Sequence, residues 1–529
     1  MKILISDKLE KEGVQILQAV KEFQVDCKPD LPPEQLKEII KDYDALIIRS
    51  GTQVTADIIA AADRLKFIGR AGVGLDNVDL QAATKKGIVA MNTPAGNTTS
   101  TAEQTMSLIL SLSRNTPQAY MSMRSGKWDR SKFKGVELYG KTLGVIGLGR
   151  IGSTVAAMAK GFGMRAVGFD PYLSMDVAKQ RGIEILELTE LLRQSDYITV
   201  HVPKTAETTS LIGEKEFALM KPTARVINCA RGGVINEMDL AKALKEKRIA
   251  GAALDVYEQE PPDPKHPLFE CDNCVTTPHL GASTSEAQIN VAIEIAETVR
   301  NALLGKGIVN AANFPSVSAE AFAELGPYID LGKRMGLFAG QLINGRVSGI
   351  KISYKGEFTK FKTEPVTMSL AFGLLSPILG ETINAVNALA VAKERGISVE
   401  TVESQKEEEF VNLVRLDITM DQGVFSVWGT LASNKKPRIV KVNEVYVEAV
   451  PDGHILFINN NDKPGVVGAV GTILAEANVN IAGITFGREV PGGKAVSVVN
   501  IDSEVPEKVI EKIRKAKDVL FVKLLKVQV

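Results

Sequence analysis

From Met1 to Thr277 the chain is a succession of short apolar runs divided by longer amphipathic stretches. Met1–Ser6, Ala45–Arg49, Phe67–Gly69 and Val89–Met91 read as strands, and Glu10–Val20 carries apolar residues at helical spacing. A polar Thr–Ser cluster at Thr98 caps a long helix. The alternation then resumes, with strands expected at Lys141–Ile146, Arg165–Phe169, Tyr197–Val200, Arg225–Asn228, Ala250–Leu254 and Cys274–Thr277, and a helix at Ser153–Phe162. Strands that alternate with helices predict an α/β fold with parallel, doubly wound sheets.

Past Phe314-Pro315, which marks a boundary, the pattern changes. Residues 315–450 mix expected helices (Met335–Asn344, Pro377–Arg395) with expected strands (Val347–Tyr354, Val424–Leu431) and contain no catalytic motif. The last stretch is more regular: strand His454–Asn459, a Pro464-Gly465 turn, helix Val466–Ala477, strands Ile481–Gly487 and Ala495–Ile501, helix Pro506–Ala516 and strand Leu520–Val527. That is βαββαβ, a ferredoxin-like module. At 529 residues the chain is too long for one core.

Composition narrows the function without naming it. Lys plus Arg and Asp plus Glu are equal at 63 each, so no global field favours nucleic acid or a membrane surface. No apolar run reaches transmembrane length. The start, MKILISD, enters a strand directly, and a cytoplasmic location is expected. The four cysteines imply no disulfide framework. His266, Cys271, Cys274 and His279 superficially resemble a zinc set, but a loop with two incidental thiols is the expectation, and no metal.

The chemistry gathers in turns that follow strands. Gly147, Gly149 and Gly152 stand at G-x-G-x-x-G spacing between an expected strand and an expected helix. The first permits a tight turn, the second lets backbone approach a pyrophosphate, and the third lets helix and strand pack closely. Asp170 ends the next strand, where a carboxylate accepts bonds from ribose hydroxyls and repels a 2′-phosphate, so NAD is the expected dinucleotide. Arg49-Ser50-Gly51 and Arg70-Ala71-Gly72-Val73-Gly74 offer cations and backbone N–H groups to an anion. Arg231, Glu260 and His279 lie in loops after later strands. A hydride transfer between a 2-hydroxy acid and a nicotinamide needs a guanidinium fork for carboxylate and carbonyl, an imidazole for the hydroxyl proton, and a carboxylate behind the imidazole.

GLGRIG with Asp170, NCARGG, ALDVYEQEPP and PHLGAST resemble the signatures of the D-isomer-specific 2-hydroxyacid dehydrogenases. The resemblance implies a Rossmann-like cofactor domain (98–281) inserted in a flavodoxin-like substrate domain (1–97 and 282–310). It also implies an α+β intervening domain (311–451) of allosteric substrate-binding type and an ACT regulatory domain (452–529). By motif match Arg231, Glu260 and His279 take the catalytic roles. Gly147, Gly149, Arg150, Ile151, Gly152, Asp170, Val202, Cys229, Ala230, Arg231, Asp255, His279, Gly281 and Ala282 fall at cofactor positions, Asp255 near the nicotinamide.

The order of domains resembles the long branch of that family. This implies NAD-dependent oxidation of 3-phosphoglycerate to 3-phosphohydroxypyruvate, the first step towards L-serine, by a homo-oligomer (dimer or tetramer). Arg49, Arg70, Val73 and Gly74 would bind substrate, with Arg130 supplied by a neighbouring subunit. L-Serine is the expected effector, held between two ACT modules by Asn460, Asp462 and Asn480, which the topology is expected to bring near one another at the module's edge. Short-form relatives have histidine where Asn460 stands and asparagine where Asp462 stands. The alternatives are a glyoxylate or hydroxypyruvate reductase, which lacks the long C-terminal extension, and an NAD-binding corepressor, which carries disordered tails or partner clefts.

Overall fold

The apolar runs become strands in a computed structural model that describes residues 1–317, 319–380, 383–405 and 410–528. The chain divides into two compact units, one of Met1–Lys8, Val14–Asn92 and Ile295–Val529, the other of Leu9–Gly13 and Thr93–Glu294.

In the first unit β1 (Lys2–Ile5), β2 (Gln24–Cys27), β3 (Ala45–Ile48), β4 (Phe67–Arg70) and β5 (Val89–Met91) form a parallel sheet in the order β2-β1-β3-β4-β5. This is the flavodoxin-like order, whose direction reverses between β1 and β3. Asp7, just past β1, accepts bonds from the Arg49 and Thr52 backbone N–H groups and so fixes the turn after β3. Strand β2 escapes the apolar pattern because it is a half-exposed edge strand, Gln-Val-Asp-Cys.

The second unit holds β6 (Thr142–Ile146), β7 (Arg165–Phe169), β8 (Glu184–Ile185), β9 (Tyr197–Val200), β10 (Arg225–Asn228), β11 (Gly251–Leu254) and β12 (Cys274–Thr276). They are parallel and ordered β12-β11-β10-β9-β6-β7-β8. Both faces are buried, and the strand period of two sorts their residues. Tyr197 packs with Ala102, Ile109 and Val155 on one side, while Ile198 and Val200 pack with Leu240 and Leu244 on the other. The order reverses between β6 and β9, so the crevice for a ligand opens beyond their carboxyl ends.

The rest of the first unit is two further layers. Strands β13 (Val347–Gly356), β14 (Ser398–Ser404), β15 (Asn412–Met420), β16 (Gly423–Leu431), β17 (Pro437–Val442) and β18 (Val445–Ala449) form a mixed sheet in the order β14-β13-β15-β16-β17-β18. Helices Ala319–Leu342 and Glu364–Leu379 cross beside it at very short range. Gly332, Gly336 and Gly340 recur every fourth residue on the first helix, and a Cβ at Gly336, Gly340 or Gly373 would collide with the other helix's backbone. The expectation of a helix over Pro377–Arg395 is corrected. Helix Glu364–Leu379 runs through Pro377 and stops at Leu379, where Gly380 takes φ 63°, and a separate helix starts at Ala388. Between them the Asn384 and Asn387 side chains accept bonds from backbone N–H groups, the local competition by which asparagine ends helices.

Strands β19 (Gly453–Asn461), β20 (Ile481–Arg488), β21 (Lys494–Ile501) and β22 (Val519–Val527) form an antiparallel sheet ordered β20-β21-β19-β22. Leu456 and Ile458 face its two helices, Val466–Glu476 and Glu507–Arg514. Ile455 and Phe457 point the other way, into the core around helix Ala319–Leu342, with Phe457 edge-on to Phe338 at 5.8 Å between ring centres. Gln341 completes the join like a strand residue, donating to the Lys526 carbonyl at 3.0 Å and accepting from the Lys526 N–H at 2.9 Å. Among the described residues no helix is long and apolar enough to cross a membrane.

The glycine crossing can be tested by adding one methyl group. Gly336→Ala should lower the thermal unfolding midpoint, overpacking costing ~1–3 kcal/mol. Gly471→Ala, on a helix where a Cβ meets nothing within 4 Å, should raise it slightly through helix propensity. Equal effects from both would disprove a close crossing.

Candidate active site

The cofactor end is built at the reversal of strand order. Gly147 takes φ 89°, closed to most side chains, and a Cβ there would lie 2.6 Å from the His201 carbonyl oxygen and 2.7 Å from Val202. Gly152 has no room for a Cβ against the Gly147 carbonyl, whereas Gly149 faces open space. Helix Arg150–Gly161 starts with no side-chain cap on its first N–H groups, which leaves those donors to an anion. Thr98, Leu148, Gly149, Arg150, Ser153, Asp170 and Arg181 line a cleft of about 510 Å³ there. Asp170 accepts from Leu148 N and Tyr172 N, each at 2.9 Å, which ties the glycine turn to the end of β7. These residues fit a dinucleotide. Arg181 is a cation of this cleft that the motif reading missed; it donates to Ser153 Oγ at 2.6 Å and to the Leu148 carbonyl at 3.2 Å. It lies eleven residues past Asp170, with no local pattern to flag it.

Arg231, Glu260 and His279 come together after β10, β11 and β12. His279 Nδ1 stands 2.7 Å from Glu260 Oε2. A carboxylate only accepts, so the ring proton lies on Nδ1 and Nε2 is left for a substrate. The hydrogen bond to Glu260 is the main cause that holds the His279 imidazole above its ordinary range, burial opposing it. Burial would raise the Glu260 carboxyl, but bonds from His279 and from Tyr257 N, with the field of Arg231, hold it below the usual carboxylate range. The other strand-end histidine is different: burial pushes His201 down to about 4, so it stays neutral at physiological pH.

His279 sits in a turn at φ 54°, and Asp255 is what holds that turn. Asp255 is fully buried. Its Oδ1 accepts from Thr277 Oγ1 and from Leu280 N at 2.8 Å, and its Oδ2 accepts from Gly281 N at 2.7 Å. Expected as a cofactor contact, Asp255 thus has its carboxylate engaged by the histidine turn. Thr101 adds a bond to the Gly281 carbonyl at 3.1 Å, next to Ala282. Asn228 does the same for the arginine turn, accepting from Ala230 N at 3.0 Å and donating to the Arg231 carbonyl at 2.9 Å. Thr277 acts on Asp255, and Thr101 and Asn228 on backbone, not on a ligand, so residue type alone does not mark them as part of the site. Cys229 is buried, which pushes its thiol up to about 12 and leaves it unreactive. Ile151 lies on the first turn of its helix, partly buried against the same core as Val155.

The expected phosphate ligands fall in separate units. In the first, Arg49 follows β3 and Arg70 ends β4, with Arg70 folded back to donate to the Gly74 carbonyl beside Val73. In the second, Arg130 is exposed on a short helical turn, Arg130–Phe133. Among the described residues no group of three or more His, Cys, Asp or Glu is placed to hold an ion.

The effector residues are not brought together within one chain, contrary to expectation. Asn460 is fully buried, bonded to Ser497 and to the Asn461 carbonyl. Asp462 pairs with Arg488 at 2.9 Å and accepts from Gly492 N, at the far end of β20. Asn480 pairs with Asp502 at the near end, before Ile481. The length of β20, roughly 25 Å at ~3.3 Å per residue, separates them. Antiparallel pairing of β20 and β21 imposes this distance, which βαββαβ order alone did not convey.

The model of the D-isomer specific 2-hydroxyacid dehydrogenase NAD binding domain matches residues 106–281, and the chain belongs to that family. The D-3-phosphoglycerate dehydrogenase intervening domain matches 324–443, and the ACT domain matches 454–518. The chain is 45% identical to D-3-phosphoglycerate dehydrogenase of Methanocaldococcus jannaschii over 99% of this chain and 100% of that one. It is 40% identical to D-3-phosphoglycerate dehydrogenase of Bacillus subtilis, over 99% of both chains. The crystal structure of D-lactate dehydrogenase from Aquifex aeolicus, complexed with NAD and lactic acid, covers 59% of this chain and 100% of its own with TM-score 0.53 and 29% identity.

Asp170→Ala should raise kcat/KM for NADP relative to NAD by about tenfold, ~1.4 kcal/mol, because a like-charge clash disappears beside Arg181. Steady-state kinetics with both cofactors checks this, and unchanged selectivity would mean that Asp170 does not face the ribose.

Proposed function

We propose that this chain oxidises 3-phosphoglycerate with NAD to 3-phosphohydroxypyruvate, and that it works in the cytoplasm as a homo-oligomer. The observation that carries the reaction type is the His279–Glu260 bond with Arg231 close enough to act on both groups. The particular substrate is supported by similarity along the whole chain to relatives bearing that name. Arg231 receives the substrate carboxylate and the oxygen on the reacting carbon in a planar fork. His279 Nε2 takes the hydroxyl proton, and Glu260 stabilises the imidazolium that results. Bound NAD supplies the acceptor for the hydride. The substrate phosphate is assigned to Arg49 and Arg70, with Val73 and Gly74 beside Arg70, and to Arg130 of a neighbouring subunit.

Turnover on a panel of phosphorylated and unphosphorylated 2-hydroxy acids tests the assignment. Wild type should favour 3-phosphoglycerate, and Arg49→Ala or Arg70→Ala should raise its KM about tenfold or more while changing an unphosphorylated substrate little. Equal losses on both kinds of substrate would argue against a phosphate role.

The same proposal includes feedback by L-serine between two ACT modules. Two copies side by side in antiparallel sense would set one copy's Asp462 end beside the other's Asn480 end. Binding there must act through a conformational equilibrium, since it is a site distinct from His279. Calorimetry should find saturable L-serine binding to wild type and weaker binding to Asp462→Ala; no binding to wild type would remove serine as the effector.

A further inference from the structure

We infer that the buried Glu237–His266 pair is a positioning device for the catalytic carboxylate, fixing the loop from which Glu260 reaches His279. Neither residue touches the reacting groups. Glu237 opens helix Glu237–Lys245 and is only 4% exposed. Its Oε1 accepts from the Glu258 backbone N–H, and its Oε2 lies 3.0 Å from His266 Nε2. His266 Nδ1 accepts from Leu268 N at 3.3 Å. A backbone N–H only donates, so Nδ1 is bare and the His266 proton sits on Nε2, aimed at Glu237. The carboxylate is thereby held from one side by His266 and holds the Tyr257–Glu258 peptide from the other.

That peptide is a junction of the site. The N–H of the preceding peptide, Val256–Tyr257, donates to Glu260 Oε1 at 3.0 Å, and the other oxygen of Glu260 meets His279. The Tyr257 hydroxyl donates to the Thr277 carbonyl at 3.0 Å, in the turn that carries His279. On the opposite side the turn after Arg231 packs against the same peptide, where a Cβ at Gly232 would collide with Tyr257 and with Glu258 N. The two peptides that meet at Tyr257, with its side chain, therefore hold Glu260, bear on the His279 turn and back the Arg231 turn. Glu237 fixes the second of them through the Glu258 N–H. A buried carboxylate is tolerated only when its oxygens are bonded, so His266 is needed to keep Glu237 in its role.

This inference rests on the reading of His279 as the proton acceptor supported by Glu260, and the test separates the two. The readout is the acid limb of the pH profile of kcat/KM for oxidation, which requires neutral His279. The charged groups facing His279 are Glu260, Asp255 and Arg231. Because Glu260 raises the His279 pKa, Glu260→Gln should move the limb to lower pH. Glu237→Gln is isosteric but must set an amide N–H against either His266 or Glu258 N. It should lower kcat/KM about tenfold and move the limb in the same direction, by less than Glu260→Gln does. Glu237→Ala should move it further, and in a Glu260→Gln background neither change at Glu237 should move it again. Thermal melts report folding, and if the alanine variant does not fold, Glu237→Gln decides. A limb that stays put in folded Glu237 variants while Glu260→Gln shifts it would overturn the positioning role. A limb that stays put in Glu260→Gln would instead overturn the reading on which the inference rests.

Discussion

A buried carboxylate must have its oxygens bonded, and Asp255 meets that requirement with the turn that presents His279. The constraint works in both directions. The N–H groups of Leu280 and Gly281 point inward because Asp255 is there, and the turn then adopts the left-handed backbone of His279, an arrangement that a free loop would not hold. The His279 ring thus leaves a rigid base at the end of β12. Glu260 has only to meet it from the neighbouring strand's loop, and the bond from the Tyr257 N–H sees to that.

The parallel sheet explains why such anchors converge. Strands β9 to β12 are adjacent and point the same way, so their following loops gather at one edge. Each loop then needs a local clamp, because loop backbone has no ladder partner of its own. Asn228 clamps the loop after β10, Glu237 and Glu260 the one after β11, and Asp255 the one after β12. Around Arg231, Glu260 and His279 the polar residues that hold loop backbone are the more numerous.

Elsewhere the governing constraint is close packing. Helices Ala319–Leu342 and Glu364–Leu379 meet through glycine, and the outer face of the first supports the C-terminal sheet through Phe338, Gln341 and Arg334. The βαββαβ module therefore shares a core with its neighbour, which is the physical route by which an effector on the module would strain the intervening layers.

The sequence by itself determined the parallel strands, the glycine turn with its acid, and the placing of Arg231, Glu260 and His279 after successive strands, because each is written locally. Apolar run length sets strands, G-x-G-x-x-G sets a turn, and a loop after a strand has one place to go. Only the tertiary structure decided what Asp255 holds, that Glu237 and His266 pair, that Arg181 enters the cofactor cleft, and that Asn460, Asp462 and Asn480 stand apart in one chain. Those facts depend on partners distant in sequence or on strand register, and a side chain's type states which bonds it can make without stating with whom. The helix break at Gly380 is a local feature that apolar periodicity overlooks, since apolar residues run on through 377–395 while Asn384 and Asn387 bond nearby backbone instead.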